Sequence, residues 1–319
     1  MDRIVITGGA GFIGSHVTER IVAEYPDANI TVLDKMTYAA DVENISHVLR
    51  RGQRQLRVGD LCDLEFCTSV TTNADLVLHL AAESHVDNSF GNSLNFTRSN
   101  ALGTHTLLEA CRVNKVANFI HVSTDEVYGE IHEGLHTETD MLNPTNPYSA
   151  SKAAADMIVN SYVRSFNMPI VTVRANNIYG IRQYPEKLIP RFSLSALMGK
   201  QLPLHGSGLH RRRFLAAEDF ADALVILVNK GVVGEIYNIG SEAEYANIEI
   251  AHMIASYLGL PTKDLFLYVE DRPFNDSRYA IDTSKMHALG WVAKRPLEQH
   301  LGEVIEWYRD NSDRYAHLI

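Results

Sequence analysis

Short runs of consecutive apolar residues alternate along the first half of the chain with longer stretches of helical periodicity. The runs are Ile4–Ile6, Ile30–Leu33, Leu56–Val58, Leu76–Leu78, Phe119–Val122 and Ile170–Val173. Such near-continuous hydrophobicity is typical of parallel strands that are covered by helices on both faces. The repeated order of strand, helix and strand therefore predicts an α/β fold, a Rossmann-type doubly wound parallel sheet.

The pattern changes after about Asn176, where prolines and glycines become frequent, at Pro185, Pro190, Pro203, Gly206 and Gly208. We interpret this part as a smaller C-terminal substrate-binding region. The expected domains are residues 1–175, a Rossmann domain, and 176–319, mainly a substrate-binding domain. A helical run followed by a short strand, within Asp219–Asn238, predicts that the chain returns to the first domain through about 213–240.

Composition narrows the class of partner. The 319 residues are 45% hydrophobic, and 29 Lys+Arg against 39 Asp+Glu give a net charge of -10. This negative net charge argues against nucleic acid or an anionic membrane as a partner. A small anionic ligand is still compatible with it, because a few local cations can bind such a ligand. The three cysteines lack the paired spacing of a zinc site, so we expect reduced thiols and no metal. With no signal peptide and no apolar stretch of about 18 residues, the expected compartment is the cytoplasm.

A glycine-rich turn follows the first strand. Gly8, Gly11 and Gly14 are spaced by three, with Phe12 and Ile13 between the last two, and a helix is predicted from Ser15. One glycine allows the sharp turn, one lets the backbone approach a pyrophosphate, and one lets the helix pack on the strand. The positive end of the helix then faces the phosphates. In this position the spacing predicts a dinucleotide site.

The ends of the next strands supply further candidates for the cofactor site. Asp34 ends the second strand, 20 residues after Gly14, where a carboxylate can accept hydrogen bonds from the adenosine ribose. This acidic group favours NAD, and Lys35 leaves NADP as an alternative because its cation is able to accommodate a 2′-phosphate. Residues that follow the third and fourth strands complete the set: Asp60, Leu61, Ala81 and Ala82.

Two clusters point to catalysis. Tyr148 and Lys152 are four residues apart on a predicted helix and so share one face. A phenol with a pKa of about 10 is a poor base until positive charge stabilises its phenolate, and Lys152 and an oxidised nicotinamide would supply that charge. Thr124, Asp125 and Glu126 follow the strand Phe119–Val122. Two carboxyl groups exceed what alcohol oxidation requires and indicate separate acid and base steps.

These motifs resemble the extended short-chain dehydrogenase/reductase family. The run from Thr124 to Gly129 resembles the dTDP-glucose and UDP-glucose 4,6-dehydratases in particular. So do the runs at Ala82–Asp87, Tyr184–Pro190 and Asp271–Pro273. The similarity covers nearly the whole chain.

The resemblance implies roles for the catalytic residues. Tyr148 takes the proton of the sugar 4-hydroxyl while hydride passes from C4 to NAD+. Glu126 then removes H5, and Asp125 protonates the departing 6-hydroxyl. Thr124 orients O4, and Asn176 lies near the nicotinamide, with a structural role in a turn as the alternative for this asparagine.

The resemblance also implies a nucleotide-sugar substrate and a homodimer. Ser84 and His85 are placed near the sugar, with a structural role as the alternative for His85. The groups that would hold the nucleotide diphosphate are Asn177, Lys187, Leu188, Pro203, His205, Arg212, Asn247 and Arg272. Phe274 and Asn275 depart from the glycine and histidine of many dTDP-glucose enzymes and favour UDP-glucose.

Two other functions stay open from the sequence alone. One is a UDP-sugar 4-epimerase or UDP-glucuronate decarboxylase of the same family, whose members lack the pair of Asp125 and Glu126. The other is a dinucleotide-binding scaffold without catalysis, which has no need of an intact tyrosine, lysine, aspartate and glutamate set. The predicted activity is a 4,6-dehydration that yields a 4-keto-6-deoxy nucleotide sugar.

Overall fold

Strands and helices alternate as the apolar pattern predicts. The computed structural model describes residues 1–271 and 274–319. The strands are β1 Arg3–Thr7, β2 Asn29–Asp34, β3 Arg54–Val58, β4 Leu76–His79, β5 Asn118–Thr124, β6 Ile170–Ala175, β7 Asn177–Tyr179, β8 Leu202–His205, β9 Arg211–Ala216, β10 Ile236–Ile239, β11 Glu244–Ala246 and β12 Phe266–Val269. The α-helices are α1 Phe12–Glu24, α2 Leu64–Thr71, α3 Val86–Gly91, α4 Ser93–Phe96, α5 Gly103–Val113, α6 Pro147–Phe166, α7 Leu188–Leu197, α8 Ala217–Lys230, α9 Asn247–Tyr257, α10 Ser284–Ala288 and α11 Leu297–Asp310.

The central sheet has seven strands in the order β10-β6-β5-β4-β1-β2-β3, and all neighbouring pairs are parallel. Every strand predicted from an apolar run forms, and the strand order reverses between β1 and β4. The predicted doubly wound α/β fold is therefore confirmed. Smaller sheets, β11-β9-β7 and β12-β8, lie in the C-terminal part.

The register brings the candidate residues to one edge of the sheet. Thr7 at the end of β1 is paired with Leu33 of β2 and with His79 of β4. Thr124 at the end of β5 is paired with Ala175 of β6. The loops after these strands therefore lie side by side at the carboxyl edge, where open parallel sheets bind ligands.

Two sequence expectations need correction. Helix α1 begins at Phe12 rather than Ser15, because Gly11 has extended backbone angles and acts as the N-cap. Gly14 lies in the first turn of the helix, and because glycine is a poor helix former the sequence pattern did not indicate this earlier start. Strand β3 is half-exposed instead of continuously buried, since it is an edge strand of the sheet.

Helix α6 has a strong N-terminal signal. The side chain of Asn146 accepts a hydrogen bond from the backbone N–H of Ser149, and Pro147 occupies the first turn. Proline is favoured there because its fixed φ suits the helix and its missing N–H would have no helical partner. The buried face of α6 includes Tyr148, Lys152 and Asp156.

The C-terminal part has a core of its own beside the helix-covered sheet. Ile250 and Ile254 of α9 pack there with Leu301 and Val304 of α11 and with Phe192 of α7. Strand β10 is the last strand of the central sheet, and α8 packs against α1. Residues that follow β6 thus contribute to both cores.

Among the described residues, no helix combines the length and the apolar composition that crossing a membrane requires. The same residues include no group of three or more histidine, cysteine, aspartate or glutamate side chains arranged to hold a metal ion.

Candidate active site

Two adjoining cavities open at the carboxyl edge of the sheet. The first encloses about 310 Å³ and the second about 440 Å³. Glu126 lies between them and lines both. All residues predicted for the cofactor line the first cavity: Gly8, Gly11, Phe12, Ile13, Gly14, Asp34, Lys35, Asp60, Leu61, Ala81, Ala82, Tyr148, Lys152 and Asn176.

The glycine turn has no room for side chains. A Cβ on Gly14 would lie 2.0 Å from the carbonyl oxygen of Gly8, and one on Gly8 would lie 2.7 Å from the Cα of Ala81. Gly8 also has a φ of 70°, a conformation that favours glycine. The backbone of the turn is thus exposed toward the cavity at the start of α1, which fits the pyrophosphate of a dinucleotide.

Asp34 is fixed by the same turn. Its carboxylate accepts hydrogen bonds from the backbone N–H of Ala10 at 3.0 Å and of Met36 at 2.9 Å. Burial raises the pKa of Asp34, and these backbone donors oppose the rise. Lys35 forms an ion pair with Asp60 at 2.9 Å. In the sequence analysis Lys35 left NADP as an alternative, because its cation is able to accommodate a 2′-phosphate. Since Lys35 is paired with a carboxylate, the arrangement fits NAD.

Lys152 is a buried lysine that lines the first cavity. Its ammonium donates to the carbonyl of Val122, at the end of β5, over 2.8 Å. Burial lowers the pKa of Lys152 to about 8, and the negative charge of Asp156 opposes that change. Asp156 in turn accepts from Arg174 at 2.9 Å and lies 3.1 Å from the ring of His121. Asp156, Arg174 and His121 therefore form a buried polar network, and the negative charge of Asp156 favours the charged form of Lys152.

Tyr148 lies on the same face of α6, as its spacing from Lys152 predicts. Burial and the nearby charge of Glu126 raise the pKa of the phenol, and a hydrogen bond with Thr124 acts in the opposite direction. The protein interior thus keeps Tyr148 protonated in the absence of further positive charge. A bound cationic ring is the kind of group that would favour the phenolate.

Asp125 and Glu126 are adjacent carboxyl groups whose pKa values are both raised. Burial and the charge of Glu126 raise the pKa of Asp125 to about 7. Burial also raises the pKa of Glu126, against the positive charges of Lys187 and Arg212. Two carboxyl groups whose protonation lies nearer to neutrality than usual suit an acid and a base at neutral pH.

Asp125 differs in position from the other predicted catalytic residues. Thr124, Glu126, Tyr148 and Lys152 line the first cavity, whereas Asp125 is only 2% exposed and is absent from the described lining of both cavities. The amide of Asn176 donates to its carboxylate at 2.8 Å. Asn176 thus has a contact with the acidic pair that the sequence did not predict.

The second cavity contains the predicted substrate residues. His85, Asn177, Lys187, Leu188, Pro203, His205, Arg212 and Asn247 line it, and Ser84 lines the first cavity. Arg272 lies outside the described residues. The ammonium of Lys187 donates to the carbonyl of Ser84 at 2.8 Å, which joins the two cavities.

Arg212 is held by an array of acceptors. Its guanidinium donates to the carbonyls of Arg211 and Asp276, both at 2.8 Å, and to the side chain of Asn275 at 3.3 Å. It also lies 4.6 Å from the centre of the Tyr279 ring. The neighbouring Arg211 and Arg213 instead form ion pairs with Glu244. Only Arg212 of the three arginines lines the second cavity, so it presents a fixed positive charge there.

Some lining residues were missed by the sequence reasoning. The second cavity is also lined by Asn146, Glu186, Asp276 and Tyr279. Asn146 had a usable signal, because a polar residue directly before Pro147 is typical of a helix N-cap. Asp276 and Tyr279 lie in the loop after β12. No local sequence pattern predicts that this loop lines the cavity.

The model of a family described as GDP-mannose 4,6 dehydratase matches residues 5–304. A trifunctional UDP-glucose 4,6-dehydratase/UDP-4-keto-6-deoxy-D-glucose 3,5-epimerase/UDP-4-keto-L-rhamnose-reductase of Arabidopsis thaliana is 47% identical over 98% of this chain. The chain spans only 48% of the length of that plant relative.

Two other relatives match at nearly full length. A dTDP-glucose 4,6-dehydratase of Neisseria gonorrhoeae is 42% identical over 98% of this chain and 97% of its own. The crystal structure of DesIV, a dTDP-glucose 4,6-dehydratase of Streptomyces venezuelae with NAD and TYD bound, superposes with a TM-score of 0.95. It is 37% identical, and the superposition covers 98% of both chains.

Proposed function

The chain belongs to the family described as GDP-mannose 4,6 dehydratase, and from this premise we propose that it is an NAD-dependent nucleotide-sugar 4,6-dehydratase, a hydro-lyase. It converts UDP-glucose, or dTDP-glucose, into the 4-keto-6-deoxy nucleotide sugar and water. The observation that carries this proposal is the acidic pair beside Tyr148: Glu126 lies at the junction of the two cavities, and Asp125 is buried next to it in the chain.

The family match and the full-length relatives confirm the resemblance to nucleoside-diphosphate-glucose 4,6-dehydratases that the motifs indicated. An epimerase or decarboxylase does not explain why two carboxyl groups with raised pKa values lie at this edge. A non-catalytic scaffold explains neither these groups nor the buried Tyr148 and Lys152.

The residues divide the proton transfers between them. Tyr148 accepts the proton of the 4-hydroxyl, with Thr124 directing the hydroxyl and Lys152 supplying positive charge beneath. Oxidation at C4 acidifies the proton on C5, and Glu126 accepts it. The C6–O6 bond then breaks as Asp125 gives its proton to O6, which leaves as water. Glu126 returns a proton to C5, and the proton that Tyr148 took from the 4-hydroxyl replaces the one that Asp125 gave to O6, so that the net change is loss of one water.

NAD fits the first cavity. When bound, it supplies the acceptor for hydride from C4 and the donor of hydride to C6. The glycine turn and Ala81 would hold the pyrophosphate, and Asp34 would hold the adenosine ribose. The ion pair of Lys35 with Asp60 favours NAD over NADP.

Uridine is the proposed nucleotide base. The plant relative that names UDP-glucose has a higher identity to this chain, 47%, than the Neisseria relative that names dTDP-glucose, 42%. Phe274 lines the second cavity, and Asn275 bridges Arg212 and Asp271 there. These are the two positions at which the sequence departs from many dTDP-glucose enzymes.

We also propose the division of labour between the two parts of the chain. Residues 1–175, with the return through about 213–240, would bind the cofactor, and residues 176–319 would mainly bind the substrate. A homodimer and a cytoplasmic location complete the proposal. Free thiols at Cys67 and Cys111 suit a reducing compartment.

The homodimer has a candidate surface on two adjacent helices. Met157 on α6 is 58% exposed, and Leu102, at the end of the π-helical turn that leads into α5, is 50% exposed. The turn, Thr97–Leu102, and α5 both pack against α6, and we infer that the two apolar side chains lie on one face of the molecule. A second copy of the chain would cover this face by an isologous contact.

Incubation with UDP-glucose and dTDP-glucose in parallel tests the proposal. We expect a 4-keto-6-deoxy product from both or from one, identified by mass spectrometry as the substrate minus one water, with UDP-glucose converted at the higher kcat/KM. No keto product from either would refute the dehydratase. Release of UDP-galactose, or of carbon dioxide from UDP-glucuronate, would favour the related epimerase or decarboxylase.

A further inference from the structure

Asn146 faces two parts of the active site at once. Its side-chain oxygen accepts a hydrogen bond from the backbone N–H of Ser149 at 2.9 Å. Its own backbone N–H is 3.2 Å from the hydroxyl of Ser149, which completes a capping box at the start of α6. The oxygen of the amide is therefore committed to the helix that carries Tyr148 and Lys152.

The amide nitrogen of Asn146 is on the other side of the group. Because the Ser149 N–H requires an acceptor, the oxygen faces the helix and the NH2 group faces away from it. Asn146 is 7% exposed and lines the second cavity together with Glu126. Burial raises the pKa of Glu126, and a hydrogen bond from the Asn146 side chain is among the influences that lower it.

Serine or aspartate would serve equally well as a helix cap at this position. Neither would present an NH2 group to Glu126. The capping role alone therefore does not require an asparagine here, whereas a donor to the neighbouring carboxylate does require the amide.

We propose that Asn146 is a positioning residue for the elimination step: one amide caps the helix that carries Tyr148 and holds the carboxylate of Glu126. This inference rests on the proposed function. The base that serves C4 oxidation and the base that removes the C5 proton are thereby fixed relative to each other. Without the amide donor, Glu126 keeps its place in the chain but loses both orientation and stabilisation of its charged form.

Other charged groups also face Glu126. Lys187, before α7, and Arg212, on β9, are positive, whereas Asp276, after β12, is negative and raises the pKa of Glu126. The charge of Glu126 in turn raises the pKa of the adjacent carboxyl of Asp125 and of the phenols of Tyr148 and Tyr279. Asn146 is neutral, so its effect on Glu126 persists when a nucleotide diphosphate engages the two cations.

Two substitutions separate the two roles. Asn146→Asp keeps the capping oxygen and the size of the side chain but puts a second carboxylate beside Glu126. Asn146→Ser keeps the cap and removes the donor without adding charge. Because both retain the cap, we expect thermal unfolding midpoints close to that of the unmodified protein, with Asn146→Ala as the variant that loses the cap and unfolds earlier.

The first measurement is the titration of Glu126 in the substrate-free protein, followed by carbon-13 NMR of labelled glutamate carboxyls. We expect the pKa of Glu126 to be higher in Asn146→Ser than in the unmodified protein, and highest in Asn146→Asp. Identical titration of Glu126 in all three proteins would overturn the inference, whatever the enzyme acts on.

The second measurement is the pH dependence of kcat with UDP-glucose. A base with a raised pKa is deprotonated only at higher pH, so the acidic limb should move to higher pH in Asn146→Asp. At neutral pH we expect kcat to fall about 10- to 100-fold, as loss of one hydrogen bond to a charged group implies, with little change in KM. An unchanged kcat and pH profile in Asn146→Asp would contradict the inference. Absence of keto product from the unmodified protein would instead refute the proposed function.

Discussion

Burial controls the protonation of the side chains at the carboxyl edge of the sheet. It raises the pKa of Asp125 to about 7, with help from Glu126, and lowers the pKa of Lys152 to about 8. A protonated carboxyl, a charged lysine and a deprotonated glutamate are the forms that the proposed chemistry requires. Near neutral pH a protonated Asp125 and a charged Lys152 coexist, and an exposed carboxyl with an ordinary pKa would not be protonated there.

The rate of dehydration should therefore pass through a maximum near neutral pH. As pH rises through about 7, Asp125 loses the proton that it gives to O6, and above about 8 Lys152 loses its charge. As pH falls, Glu126 becomes protonated and can no longer accept the C5 proton. Measurement of kcat from pH 5 to 9 checks this expectation, and a kcat that keeps rising to pH 9 would contradict it.

Replacing Glu126 by glutamine should separate oxidation from elimination. The amide has the size of the carboxylate but cannot accept the C5 proton, so turnover should fall on the order of 10²–10⁴-fold. Oxidation at C4 should still occur, and absorbance of reduced nicotinamide should accumulate in a single turnover. Glu133→Gln, at an exposed loop position, is the control and should behave as the unmodified protein. Wild-type turnover in Glu126→Gln would remove Glu126 from the role of base.

The sequence indicated the reactive side chains better than the groups that orient them. Tyr148, Lys152 and the acidic pair are recognisable because their residue types and spacing are tied to strand ends and a helix face. The donation from Asn176 to Asp125 joins two loops that are 51 residues apart in the chain. Contacts of this kind depend on the packing of β5 beside β6 and leave no local pattern.

Among the elements, the turn from β1 to α1 is the most constrained. Its glycines are required by close backbone approach, since the carbonyl of Gly8 occupies the space that a side chain on Gly14 would need. The strands of the central sheet consist largely of consecutive apolar residues. This pattern made them predictable, and it is also why most of them are buried. The strands β7, β11 and β12 have only three or four residues, too few for a reliable periodicity.

Gly14→Ala should damage the cofactor site through this contact. A Cβ at residue 14 would lie 2.0 Å from the Gly8 carbonyl oxygen, so the turn must open or α1 must shift. We expect NAD affinity, measured by calorimetry, to fall at least about tenfold, since the backbone donors of the turn act together on the pyrophosphate. Gly91→Ala is the matched control, because no atom lies within 4 Å of its added Cβ. Unchanged NAD affinity in Gly14→Ala would show that the turn does not hold the cofactor.

For the whole molecule, the important feature is the junction of the two cavities. The loops at the edge of the sheet provide most of the first cavity and the C-terminal part provides most of the second, so a sugar bound at the junction would contact residues from both. Lys187 donating to the Ser84 carbonyl is one of the contacts that join the two sides. Most residues predicted for the substrate line the second cavity, but the sequence predicted neither that Ser84 would line the first cavity nor that Glu126 would line both.

The proposed homodimer predicts a specific sensitivity to charge. Met157→Asp places a carboxylate on the apolar face of α6 and should convert a dimer into a monomer, as measured by analytical ultracentrifugation, because an unpaired charge at an interface is strongly unfavourable. Met141→Asp is the control, since Met141 is 87% exposed in a loop. A monomeric unmodified protein, or a dimer that Met157→Asp leaves intact, would contradict this surface.

The path of the hydrogen on C4 tests the central claim most directly. UDP-glucose carrying deuterium at C4 is incubated with the protein, and the product is analysed by proton and deuterium NMR. A 4,6-dehydratase moves that hydrogen from C4 to C6 within the active site, so we predict a 4-keto product with deuterium in its new methyl group. Deuterium that stays at C4 of an epimerised sugar, or a methyl group without deuterium, would contradict the account.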